Sequence, residues 1–212
     1  MKFLRDENGS AMFYLLWIIT TVIVISIIIV NISRIYVVKQ QASTAAELSA
    51  VAATGDILTA TEEAIKEYDA EMFRRLQEGE IYIPLWETIT DRVNQHQTNG
   101  YSEQEAYIKA YNEILPGSLN NPLLKSFFTT KFSVDSTLSN NMYETVRQIV
   151  KQNEGNEEHV EIKISTDAYR VEVKTDATYE AITDGKIFAR FLKDIPQKGY
   201  GPTLDYLENV LN

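Results

Sequence analysis

Cysteine is absent from the 212 residues. That excludes disulfides, thiol nucleophiles, iron–sulfur clusters and cysteine-ligated zinc together. Histidine is scarce as well. His96 and His159 lie far apart, and neither has a second ligand at helical spacing, so both read as surface residues. Positive charge is in short supply: 20 Lys and Arg against 30 Asp and Glu leave a formal net charge of −10. So acidic a surface repels phosphate backbones and anionic headgroups, and nucleic acid is not an expected partner. Missing too are a G-x-S-x-G elbow, a Walker loop, an H-E-x-x-H pair and a dinucleotide fingerprint. No catalytic residue stands out, and no metal or cofactor is implied.

What the chain has is one long apolar run. From Asn8 to Ser33 there is no charged residue, and Ala11 to Val30 is almost wholly apolar. Twenty residues at about 1.5 Å each span roughly 30 Å, the thickness of a hydrocarbon core. A helix apolar on every face is not a soluble surface helix. Phe13, Tyr14 and Trp17 cluster at one end and Tyr36 lies beyond the other, as interfacial aromatic belts do. Thr20, Thr21 and Ser26 are tolerable in lipid because their hydroxyls can return to backbone carbonyls. A cleaved signal would have a shorter apolar region, closely followed by a small-residue site; the first such stretch here, Ala50-Val51-Ala52, comes some twenty residues later. A retained single-pass anchor over 11–33 is the expectation, after an N-terminal flank at 1–10. Lys2 and Arg5 on one side nearly balance Arg34 and Lys39 on the other, so charge alone does not orient it.

The helix is expected to run on over 34–55, because Gly55 is the first punctuation after the apolar run. Ala42, Ala45, Ala46, Ser49, Ala52 and Ala53 recur there at spacings of three and four. They form a stripe of small side chains on which another backbone can settle closely. The stripe does not say whether that backbone belongs to the same domain or to another subunit. A soluble α+β domain is expected over 56–212, with several helices and a small antiparallel sheet. Thr59 with Glu62 and Ser102 with Glu105 fit capping boxes, Pro84 suits the first turn of a helix, and Pro116-Gly117 reads as a helix end. Residues 118–132 are ambiguous, and 141–151 has helical spacing. Val160, Ile162 and Ile164, then Tyr169, Val171 and Val173, alternate with polar residues, which predicts a hairpin turning at Ser165–Ala168. A third strand is expected near 177–183, and a short closing helix over 203–211.

One string has the spacing of a metal-dependent adhesion loop: Asp135, Thr137 and Ser139 in the order D-x-[ST]-x-S. Only about 77 residues follow it, too few for the doubly wound domain that surrounds such a loop, so it reads as an ordinary loop.

The N-terminal quarter resembles the TadE/TadG-like proteins of tight-adherence (Flp) pilus assembly. The residues that carry the resemblance are Arg5-Asp6-Glu7-Asn8-Gly9-Ser10, the apolar helix, Arg34-Ile35-Tyr36-Val37-Val38-Lys39-Gln40-Gln41 and the alanine-rich stretch to Ala53. Gly9, Arg34 and Tyr36 are its motif positions, and it covers about the first 50 residues. The resemblance implies a non-enzymatic envelope protein whose large domain lies outside the cytoplasmic membrane. It would act in pilus assembly, or as a minor pilin-like component, with other pilus or envelope proteins as partners through the membrane helix and the alanine stripe. One departure matters. Flp-type prepilins carry a glutamate five residues after the cleavage-site glycine, and here the fifth residue after Gly9 is Tyr14; the TadG-like subgroup fits better. A different class of function, an extracytoplasmic sensor or ligand-binding domain on a single-pass anchor, would need a deep aromatic-lined pocket.

Overall fold

The structure, a computed structural model, describes residues 7–77, 81–133, 137–179 and 194–211. Its first element, α1, is one unbroken helix from Glu7 to Arg75. At about 1.5 Å per residue its 69 residues run for roughly 100 Å. Gly55 does not end it. A glycine in a helix interior costs about 1 kcal/mol relative to alanine, and burial of Ala53, Ile57, Ala60 and Ala64 around it outweighs that cost. Thr59 therefore caps nothing: its hydroxyl donates back to the Gly55 carbonyl at 3.1 Å, inside the continuous helix.

Four further helices follow: α2 (Leu85–Thr98), α3 (Glu103–Ser118), α4 (Pro122–Lys131) and α5 (Thr137–Gln152). Pro84 sits at the N-cap of α2, one residue outside its first turn. The Ser102–Glu105 capping box is formed in both directions, with the Glu105 backbone N–H on Ser102 Oγ and the Ser102 N–H on the Glu105 carboxylate. Pro116 lies within the last turn of α3, which ends at Ser118. The ambiguous stretch resolves as α4, capped by Asn121 with Pro122 at its first position.

Strands β1 (Glu161–Ser165), β2 (Arg170–Thr178) and β3 (Asp194–Tyr200) then form an antiparallel sheet in the order β1-β2-β3. In the hairpin Ile162 pairs with Val173 and Ile164 with Val171. The expected third strand near 177–183 is in part the end of β2, and 180–183 lies outside the described residues. The actual third strand, β3, carries Pro196 and Gly199, and its edge position accommodates the proline. A short helix, α6 (Leu207–Leu211), closes the described chain.

The sheet packs on α1 through β2 and β3, while α5, α4 and α2 cover other sides of the same helix. Val171, Val173, Thr175 and Ala177 are the buried positions of β2. Contact with α1 is close because both surfaces are small. A side chain on Gly199 would strike the backbone at Ala46 and Glu47, and one on Gly201 would strike Thr54 Oγ1. Beyond the sheet the core is aromatic. Tyr206 lies edge-on to Tyr111 and Phe128, at ring separations of 6.0 and 6.3 Å, and shares a 2.8 Å hydrogen bond with Thr61.

Two consequences are measurable. Gly199→Ala forces a methyl group into the α1 backbone, so it should cost about 3 kcal/mol and lower the thermal midpoint by several degrees; an unchanged midpoint would contradict the packing. Burial also raises the phenol pKa values of Tyr68, Tyr82, Tyr107, Tyr111 and Tyr206 above the usual value. The folded state then holds these protons more tightly than the unfolded chain. Their contribution is fully present below about pH 10, where an unfolded tyrosine begins to ionise, and is lost as pH rises above it. The denaturant midpoint should fall above that pH, with phenolate absorbance appearing together with unfolding.

Candidate functional site

α1 divides into an exposed apolar half and a half buried in the folded body. Over Ala11–Val30 almost every side chain is exposed, including Phe13, Trp17, Val22, Ile23 and Ile29, and none packs into the folded body. Hydroxyls in this half return to the helix backbone: Thr20 donates to the Leu16 carbonyl, Thr21 to Trp17, Ser26 to Val22 and Ser33 to Ile29, at 2.8–3.0 Å. The helix is long and apolar enough to cross a membrane, with an 18-residue window of mean hydropathy 2.8.

The alanine stripe has the opposite fate. Ala42, Ala45, Ala46, Ser49 and Ala53 are fully buried and Ala52 is half-buried. What covers them belongs to the same chain: Gly199 of β3 lies on Ala46, and Gly155, just after α5, lies against Ala45. The stripe thus receives the protein's own sheet and helix, which corrects the expectation that a second protein docks there. Of the motif positions, Gly9 lies in the first turns of α1, and Arg34 and Tyr36 are exposed on it just beyond the apolar run.

One contact joins the two halves of the helix. Asn31, the first residue after the apolar run, is 1% exposed, and so is almost all of Tyr179 hidden, at 2%. The Tyr179 hydroxyl donates to Asn31 Oδ1 at 2.9 Å, and Asn31 Nδ2 donates to the Ile27 carbonyl at 3.0 Å. Sequence reasoning missed this pair. The available signal was a polar amide at the end of a run otherwise tolerant only of hydroxyls.

At the far end of α1 a buried carboxylate organises the chain reversal into α2. Asp69 accepts from the Tyr82 hydroxyl at 2.5 Å and from the backbone N–H groups of Leu85 and Trp86 at 2.9 Å each. It is a cap for α2 supplied by another helix, satisfying donors that Pro84 leaves free. The strap it holds presents Ile81 and Ile83 outward, 95% and 70% exposed, beside half-exposed Phe73.

The grooves of the body are open and mixed in character. One, of about 540 Å³, is lined by Asp56, Glu63, Glu67, Lys131 and polar residues from the start of α5. Lys131 bridges Glu67 at 2.8 Å and Glu63 at 3.0 Å, and those two hydrogen bonds, Glu67 first, raise its pKa. That is an ion triad joining α4 to α1. A second groove, about 440 Å³, is apolar and runs between β1 and α5, past Ile162, Ile164, Met142 and Leu138. Among the described residues no three His, Asp or Glu side chains gather as a metal site. His96 pairs with Glu113 and His159 with Asp176. Of the D-x-[ST]-x-S string, Asp135 lies outside the described residues, and Thr137 and Ser139 are exposed at the start of α5.

Comparison with known proteins places a family on part of this geometry. Residues 9–56 match the family model described as "Putative Flp pilus-assembly TadE/G-like". The match spans the exposed apolar half of α1 and the buried stripe, under a quarter of the chain. No curated protein and no solved structure matches the chain.

The Asp69 cap can be checked directly. Asp69→Ala strands two backbone donors and a phenol in a partly buried site, and should cost about 2–4 kcal/mol. Asp69→Asn, which keeps one carbonyl acceptor, should cost less. Denaturation midpoints of both variants give the comparison, and equal losses would mean that charge and not capping is what matters.

Proposed function

We propose that the protein is a membrane-anchored, non-enzymatic component of Flp/Tad-type pilus assembly or of a related secretion apparatus, either minor pilin-like or an assembly factor. The observation that carries this reading is the division of α1. The family match covers a helix whose apolar half is unpartnered over a bilayer's thickness, while its other half is the spine of the folded body. In this reading 11–33 is a single-pass span and the body lies on the extracytoplasmic side, where a pilus is built.

Partners would be other pilus or envelope proteins. The apolar half offers them helix-to-helix contact in the membrane, and the body offers its outer faces and the Ile81–Ile83 strap. Among the described residues the grooves support this reading over a ligand-binding one: the roughly 540 Å³ groove is crossed by the Lys131 ion triad, and Tyr68 and Tyr111 on their helices, with Tyr206 in the turn before α6, are buried in the core instead of lining a cavity.

Deletion of the gene in its native host tests the proposal. Surface pili should be lost or sharply reduced, and the tagged protein should co-purify with pilus-assembly components from detergent-solubilised membranes. Protease added to intact cells or spheroplasts should degrade the body while sparing the helix. Normal piliation without any such association would refute the assembly role, and a protease-resistant body on intact spheroplasts would reverse the orientation.

A further inference from the structure

We propose that the base of the folded body, where Tyr179 is bonded to Asn31, reaches through the headgroup layer to the edge of the hydrocarbon, so that this end of the molecule has a lipid surface as its partner. The inference rests on the anchoring reading above and adds to it the depth at which the body begins.

The helix carries its own ruler. Trp17 and Tyr36 are 19 positions apart, about 28 Å along a helix, which is close to the spacing of the two interfacial levels that such rings prefer. Asn31 lies five positions before Tyr36, roughly 7 Å deeper. An amide at that level without partners would cost several kcal/mol. Here it has them, from Ile27 and from a tyrosine 148 positions away.

Tyr179 cannot supply that bond from a distance. It follows β2 directly, and β2 remains paired to β3 as far as Thr178 opposite Asp194, where the Thr178 hydroxyl donates to Asp194 at 3.1 Å. Withdrawing Tyr179 from Asn31 would pull the strand end with it. The sheet therefore reaches the end of the apolar run with no linker between, and the paired residues Thr178 and Asp194 at its end are exposed. A phenol, apolar in its body and polar at its tip, suits the boundary. With a net charge of −10 the protein gains nothing from anionic lipid, so zwitterionic headgroups should suffice.

The absence of cysteine makes the test clean, since one introduced cysteine reports one position. The full chain is reconstituted in phosphatidylcholine vesicles with a fluorophore at Thr178→Cys, Asp194→Cys or, as a distal control, Glu103→Cys at the start of α3. Quenching by headgroup-nitroxide lipid should be several-fold stronger at the first two sites than at the control. Tyr179→Phe, which removes only the hydroxyl, should reduce quenching at Thr178→Cys toward the control value. Equal, weak quenching at all three sites, with the fluorescence of Trp17, read in a Trp86→Phe background, still quenched by acyl-chain nitroxide, overturns the inference and leaves the anchor standing. Loss of Trp17 quenching as well overturns the anchor and this inference together. Strong quenching at the base that Tyr179→Phe leaves unchanged would overturn the role of the Asn31 bond.

Discussion

The whole body depends on how closely a sheet can approach one helix. Gly199 and Gly201 lie almost on the α1 backbone at Ala46 and Ala50, a distance that only small residues on both sides permit. Such contact brings little apolar area per residue, but it brings many atoms within dispersion range and leaves no void. From it follow the register of β3 on β2, the burial of Val171, Val173 and Ala177, and the covering of α1 by α5 on a neighbouring side. The alanine stripe is thus the seat of the fold rather than a spare docking face.

Because the seat is on α1, one helix carries both the exposed apolar run and the folded body without a joint between them. No hinge occurs at Gly55, and none occurs at the end of the apolar run, where Asn31 and Tyr179 tie the strand end to the helix. The apolar half and the body are therefore joined by continuous helix and by this bond, with no linker between them. A glycine-rich or serine-rich linker would have decoupled the two.

Much of this was legible in the residues, for reasons that can be stated. The apolar run, the Ser102–Glu105 box and the alternation of Ile162, Ile164, Val171 and Val173 are local signals whose physics does not depend on the rest of the chain. Gly55 and Thr59–Glu62 misled because helix punctuation acts only when the chain is free to turn, and here neighbours at Ala53, Ile57 and Ala60 are held by the core. The strand Asp194–Tyr200 was illegible because its residues lack β-branching, except for Ile195, and include proline and glycine. It is a strand because β2 and α1 offer it partners, and its glycine is an adaptation to the helix it touches. The Asn31–Tyr179 and Asp69–Leu85 bonds link positions that no periodicity connects.

The distribution of charge and exposure also says where discrimination between partners must reside. The apolar half of α1 carries no charge from Ala11 to Ser33, and its hydroxyls are turned back onto its own carbonyls. It can offer a neighbouring helix only van der Waals contact, which selects weakly among apolar partners. The small-residue face that would have sharpened that choice is already filled by β3 and α5. If the protein acts in pilus assembly as proposed, recognition would fall to the body, where Asp69 holds the strap that displays Ile81 and Ile83. In the proposed reading such a chain separates insertion from recognition: one half of the helix would settle where the protein sits, and the body at the other end what it meets.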